Sequence, residues 1–157
     1  MSSANEKAAF IRNKFIPLLL SIPADKNPSW GKMNAIQMIE HMSYAFRQAN
    51  GKDPYEIVTP DEHLPRMHAF MMSDKPFREN TPNQLLPDEP TTPKHESITA
   101  ATEELKKEIA HFFEVFGAQP DKKITNPFFG VLGYEEWVQL LYKHCWHHLR
   151  QFGIEQR

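Results

Sequence analysis

Two histidines near the C-terminus have the type and spacing of metal ligands. His144 and His148 are four residues apart in a segment with helical periodicity, so both imidazoles lie on one helix face, within its apolar stripe. Such a pair can bind one divalent ion, as on the zinc-binding helix of metalloproteases. The protease motif itself is excluded, because Cys145 stands where that motif has its glutamate. The alternative is a pair of hydrogen-bonded core histidines.

A third ligand is needed, and His41 is the candidate. It lies in a predicted helix over 34–49, where Asn34 and Gln37 form a capping-box pattern. His41 is at the edge of the apolar arc, beside amide side chains, where a polar pocket between helices can open. Three neutral imidazoles with open coordination positions would form a catalytic type of site. His147, at the edge of the stripe, is the alternative to one of the three.

Four segments with helical spacing of apolar residues carry these candidates. The predicted helices cover 5–21, 34–49, 98–116 and 134–152. Pro17 should kink the first or start a second short helix, and Gly117 and Gly153 should end the last two. Residues 121–133 are a predicted loop, and no convincing strand pair is present. The pattern predicts an all-α fold, most simply a four-helix bundle, in a single domain over 1–157.

The middle of the chain, residues 51–97, differs in composition and is called the arm below. It holds eight of the 13 prolines, a density that excludes a long helix or a central strand. A short helix over 61–72 is compatible with the apolar spacing. Long irregular segments are often functional lids, but Phe77, Leu85 and Leu86 favour an ordered arm that wraps the bundle or a second subunit.

Composition restricts the classes of partner and the compartment. The 157 residues carry 18 Lys and Arg against 20 Asp and Glu, with no large block of one sign. This balance argues against nucleic acid and against a polybasic membrane surface. Cys145 is the single cysteine, which excludes an internal disulfide and a four-thiolate zinc site. The longest apolar stretch, 15–22, is too short to span a membrane, so we expect a cytoplasmic protein.

These residues together resemble the DinB/YfiT-like superfamily, in particular a branch of unknown function. The resemblance rests on three motifs: Trp30-Gly31-Lys32-Met33 to His41-Met42, Asn126-Pro127-Phe128-Phe129-Gly130, and His144-x-x-x-His148-x-x-Gln151-Phe152-Gly153. It implies an up-down-down-up four-helix bundle, often dimeric, with a metal held by three histidines. The family's ligand positions match His41, His144 and His148. The long proline-rich middle and the extra His147 depart from the simpler members.

Two classes of function follow. The resemblance implies a metal-dependent enzyme, of the hydrolase or thiol-dependent S-transferase type, with Zn or Ni on the three histidines and a low-molecular-weight thiol as a further cofactor. No general base is evident, because Glu40 points roughly 100° away from His41 on the helix. The alternative is a non-catalytic helical dimerisation or small-molecule-binding protein with structural or vestigial histidines.

A homodimer is expected, on the resemblance and on two aromatic residues. Trp146 and Tyr142 lie opposite the buried stripe of the last helix. Large aromatic side chains on a nominally exposed face indicate that the arm or a second subunit covers them.

Overall fold

Six α-helices and one short β-hairpin make up the described part of the chain, residues 3–79 and 89–156 of a computed structural model. The helices are α1 (Ala4–Asn13), α2 (Phe15–Leu20), α3 (Ala35–Ala49), α4 (Leu64–Met72), α5 (Ile98–Ala118) and α6 (Tyr134–Gln151). The strands are β1 (Ile124–Asn126) and β2 (Gly130–Leu132). The structure is thus mostly helical, as predicted. Within the described ranges, no helix combines the length and apolar character needed to cross a membrane.

Pro17 divides the first helical segment into α1 and α2. Its ring has no N–H to donate and would clash with the carbonyl one turn earlier, so a continuous helix cannot pass through it. Instead α1 ends at Asn13, Lys14 links the two helices, and α2 begins at Phe15. Pro17 then lies in the first turn of α2, where a missing donor costs little. Of the two alternatives predicted at Pro17, a kink or a second short helix, the structure shows the second.

The packing of α3 on α5 forms much of the core. Helix α3 begins with the predicted capping box, since Asn34 and Gln37 each accept the other's backbone N–H. The rings of Phe46 and Phe112 meet edge to face, 6.1 Å apart, and both are fully buried. Gly117 was expected to end α5, and this is wrong: the helix continues to Ala118. It ends there because the residue before Pro120 is held away from helical geometry.

Helix α6 packs against α1 on the side opposite the histidines. Phe10 of α1 stacks on Trp146 with ring centres 5.0 Å apart and meets Tyr142 edge to face at 5.4 Å. Trp146 is only 8% exposed as a result. These two aromatic residues therefore need no second subunit to cover them, and the homodimer rests on the family resemblance alone.

The predicted loop over 121–133 contains a hairpin, so this prediction was wrong. Strands β1 and β2 pair antiparallel, with Ile124 opposite Leu132. The turn is stabilised by Asn126, whose Oδ1 accepts the N–H groups of Phe128 and Phe129 at 2.8 and 3.0 Å. Such short strands gain their stability from tertiary packing, which leaves little signal in the sequence.

The described parts of the arm lie against the helices on two sides. At the end of α4, the carbonyls of Met71 and Ser73 accept from Nε2 of Gln139 on α6, at 3.0 and 3.2 Å. On the return, the carbonyl of Thr91 accepts from Nε2 of Gln37 on α3 at 2.9 Å. The short helix predicted over 61–72 is present, as a 3-10 turn (Asp61–His63) followed by α4. The anchors Leu85 and Leu86 lie outside the described residues.

Candidate metal centre

His41, His144 and His148 come together at one point between α3 and α6, and are called the three-histidine cluster below. The Nε2 atom of His144 lies 3.1 Å from Nε2 of His41 and 3.0 Å from Nε2 of His148. One nitrogen from each ring lies within 4.8 Å of the others. Nitrogens that bind one ion at about 2.0–2.1 Å are separated from one another by about the 3.0 and 3.1 Å found here. The structure therefore brings together all three candidates, and they could hold a metal ion.

The cluster is buried on one side and reaches the surface on the other. His148 is 5% exposed, whereas His41 and His144 are half-buried. Burial lowers the pKa of His41 to about 4, and it lowers the pKa of His144 and His148 well below the usual value. All three rings are consequently neutral at pH 7, which is the form that binds a metal ion.

Gln151 fixes which nitrogen of His148 faces the cluster. The Gln151 amide donates from Nε2 to the carbonyl of Trp30 at 2.9 Å, which leaves Oε1 as the acceptor at 2.7 Å from Nδ1 of His148. The proton of the neutral ring must then be on Nδ1, and Nε2 presents its lone pair to His41 and His144. Metal-binding histidines are commonly oriented by such an outer hydrogen bond.

Hydrogen bonds between neutral rings do not account for both of the close Nε2–Nε2 contacts in the cluster. Because Nε2 of His148 has only a lone pair, Nε2 of His144 must supply the proton for their contact. The contact from His144 to His41 would then have to share that one proton. A divalent cation would instead accept the lone pairs of all three nitrogens, so the donor set fits a metal ion.

His147 lies beside the cluster and does not join it. Its ring centre is 4.9 Å from that of His148, but its ring packs against Trp30 at 5.4 Å and Phe77 at 6.0 Å. Burial, together with the positive charge of Arg150, lowers its pKa to about 4. Among the described residues, the group that could hold a metal contains His41, His144 and His148 and not His147.

The family model of the DinB superfamily matches residues 12–152. The chain belongs to the DinB superfamily. Members of this superfamily are known as metal-binding proteins, which agrees with the three-histidine cluster. No curated protein and no solved structure matches the chain at a significant level.

Several residues around the cluster of this DinB-superfamily chain were not identified by sequence reasoning. Phe77 of the arm lies edge-on to His144, with ring centres 6.2 Å apart. Gln151 belongs to the motif that carried the resemblance, but its role in orienting His148 depends on the carbonyl of Trp30. No local pattern predicts these contacts, because each joins segments far apart in the sequence.

Two side chains adjacent in sequence to the cluster histidines, those of Glu40 and Cys145, do not face the cluster as reactive groups. The carboxylate of Glu40 accepts from Nδ1 of His95 at 2.5 Å and from the N–H groups of Lys94 and His95. It is therefore turned towards the arm, as its position on the helix predicts. Cys145 is fully buried, and burial raises the pKa of its thiol well above the usual value. Glu40 is thus paired away from the cluster, and the thiol of Cys145 is protonated at neutral pH.

Proposed function

We propose that this DinB-superfamily protein is a metal-dependent enzyme of the hydrolase or thiol-dependent S-transferase type. Zn or Ni is the ion, and His41, His144 and His148 are its ligands. The observation that carries the proposal is the convergence of three Nε2 atoms at 3.0 and 3.1 Å. The tautomer that Gln151 imposes on His148 supports it, because the lone pair of Nε2 is directed at the other two rings.

The surroundings of the cluster support an open, catalytic type of site. A divalent ion bound there would act as a Lewis acid and lower the pKa of a water or thiol that it binds. Three neutral imidazoles do not offset a 2+ charge, and no carboxylate oxygen of the described residues joins the cluster. The protein thus favours an anionic group as the remaining ligand. His41 and His144 are half-buried, which leaves a route from solvent.

The proposal includes the architecture that the family implies. The pair α1–α2, together with α3, α5 and α6, makes an up-down-down-up four-helix bundle in a single domain over 1–157. The packing of the buried Phe46 on Phe112 and of Phe10 on Trp146 supports two of the helix pairs. A homodimer, a cytoplasmic location, and the absence of nucleic-acid and membrane partners stay predictions. Light scattering at micromolar concentration tests the dimer.

The second candidate is a non-catalytic helical protein with structural or vestigial histidines. It is favoured by one observation: the carboxylate nearest to the cluster in sequence, Glu40, is turned to His95 and is not available as a base. Such a protein would have neither substrate turnover nor an exchangeable ligand at the cluster.

Metal analysis tests the proposed function directly. The protein is purified without an affinity tag, and its Zn and Ni contents are measured by mass spectrometry. We expect about one ion per chain. In the cobalt-substituted protein, the visible spectrum should shift when acetohydroxamate is added, because an open coordination position accepts it. Bound cobalt with an unchanged spectrum favours the second candidate, and no bound metal contradicts the proposal.

A further inference from the structure

Arg150 is a half-buried cation three residues after His147, the histidine beside the three-histidine cluster. It follows His148 by two residues at the end of α6, and its charge is close enough to act on the ring of His147. Within residues 3–79 and 89–156, no hydrogen bond or ion pair engages its guanidinium. An arginine that is partly desolvated without a partner gains interaction energy when an anion binds to it.

Two aromatic rings pack on His147, the same residue on which the charge of Arg150 acts. Trp30 and Phe77 both pack on His147, with ring centres at 5.4 and 6.0 Å, and these two rings are called the aromatic walls below. Phe77 also lies edge-on to His144, and it is stacked on Phe129 at 6.5 Å. Both aromatic walls are half-buried, so each keeps part of its apolar surface free.

The aromatic walls are held in place by the arm and by the end of α6. The ammonium group of Lys143 donates to the carbonyl of Phe70 at 2.8 Å and lies 5.0 Å from the centre of the Phe77 ring. On the other side, Gln151 accepts through its backbone carbonyl from the N–H of Ser29 at 2.7 Å, next to Trp30. A surface held in place before a ligand arrives binds it at a lower entropic cost.

We propose that the site takes ligands with an aromatic body and a carboxylate, and that Arg150 and the aromatic walls determine this specificity. The body packs against Trp30 and Phe77, and the carboxylate pairs with the guanidinium of Arg150. This inference rests on the proposed function, because the opposite end of such a ligand occupies the open position of the metal ion. Arginine suits the task, since its planar fork matches a carboxylate with two parallel hydrogen bonds.

Three compounds that share the same metal-binding group, a hydroxamate, test the inference on cobalt-loaded protein. They are acetohydroxamate, benzohydroxamate and 4-carboxybenzohydroxamate, and their dissociation constants are read from the visible cobalt spectrum. We expect the phenyl ring to tighten binding about fivefold through aromatic packing. The added carboxylate should tighten it about tenfold further through a charge-assisted hydrogen bond.

Substitutions separate the two contributions. Arg150→Gln should remove only the gain from the carboxylate, whereas Phe77→Leu and Trp30→Leu should each reduce only the gain from the ring. Arg66→Gln is the matched control, since Arg66 is an exposed arginine that contacts His63, and it should leave all three affinities unchanged. Far-ultraviolet circular dichroism verifies that each variant is folded.

The outcomes distinguish this inference from the proposed function. If cobalt binds and acetohydroxamate shifts its spectrum, but the three hydroxamates bind equally, the inference is wrong and the proposed function stands. The inference is equally wrong if Arg150→Gln keeps the gain from the carboxylate. If cobalt does not bind, the proposed function fails and the inference fails with it.

Discussion

The side chain of Gln151 joins His148 to the segment before α3. Its Oε1 accepts from Nδ1 of His148 at 2.7 Å, and its Nε2 donates to the carbonyl of Trp30 at 2.9 Å. One amide thus sets the tautomer of a buried candidate ligand and ties the end of α6 to residue 30. The orientation of the metal site and the packing of the chain are coupled at this residue.

Replacement of Gln151 should weaken metal binding without removing a ligand. We expect Gln151→Ala to lower the affinity for Zn about 10- to 100-fold, because His148 loses the hydrogen bond that orients its lone pair. Isothermal titration with zinc measures the affinity. Gln156→Ala is the control, since Gln156 bonds to Tyr142 at the surface, and it should retain the affinity of the wild type. Equal losses in the two variants would contradict the role assigned to Gln151.

The four histidines of the region should separate into ligands and a non-ligand. His41→Ala, His144→Ala and His148→Ala should each leave far less than one ion per chain, because each removes one of three nitrogens. His147→Ala should retain the metal, since its ring packs on Trp30 and Phe77. Mass spectrometry of the purified variants measures the metal content. Loss of metal in His147→Ala with retention in His144→Ala would show that the ligands are wrongly assigned.

The metal-free protein should lose stability as the pH falls from about 6.5 towards 4. Burial lowers the pKa of His41 and His147 to about 4 in the folded state, against about 6.5 in an unfolded chain. Between these values the unfolded chain binds more protons, so the free energy of unfolding decreases with decreasing pH. Above about pH 6.5 both states are neutral at these rings, and the contribution is fully present.

Urea unfolding of chelator-treated protein at pH 7.5, 6 and 5 measures this dependence. His147→Gln should make it less steep, because one buried ring no longer takes up a proton on unfolding. Carboxylates contribute to the slope in wild type and variant alike, so the comparison isolates His147. An identical slope in the two proteins would show that His147 is not held neutral by the fold.

Two serine-to-alanine substitutions should change stability in opposite directions. Ser43 is 1% exposed, and its Oγ has no hydrogen-bond partner among the described residues. Ser43→Ala should therefore raise the free energy of unfolding by about 1 kcal/mol. Ser97 accepts from the N–H of Ala100 at 3.0 Å as the N-cap of α5, and Ser97→Ala should lower it by about 1 kcal/mol. Chemical denaturation of both variants is the measurement; destabilisation by Ser43→Ala would indicate an unseen partner.

Local features of the chain were sufficient to predict the helices. The capping box of Asn34 and Gln37, the break at Pro17 and the end of α6 before Gly153 each depend on residues a few positions apart. The shared face of His144 and His148 is equally local, since it follows from the helical repeat. The choice of His41 was weaker, because its position on one helix says only that it borders an apolar face.

Only the tertiary structure determined that His41 lies beside the two histidines of α6. His41 and His144 are 103 residues apart, and only the packing of α3 and α6 brings their Nε2 atoms to 3.1 Å. The link from Gln151 to Trp30 spans 121 residues, and the cover that Phe10 gives to Trp146 depends on how α1 lies on α6. Amino-acid sequence determines short-range periodicity and capping by itself, because these arise within one or two helical turns. Contacts between distant segments depend on the packing of the whole core. The pairing of helix faces, including that of α3 with α6, is therefore determined only when all the helices pack together.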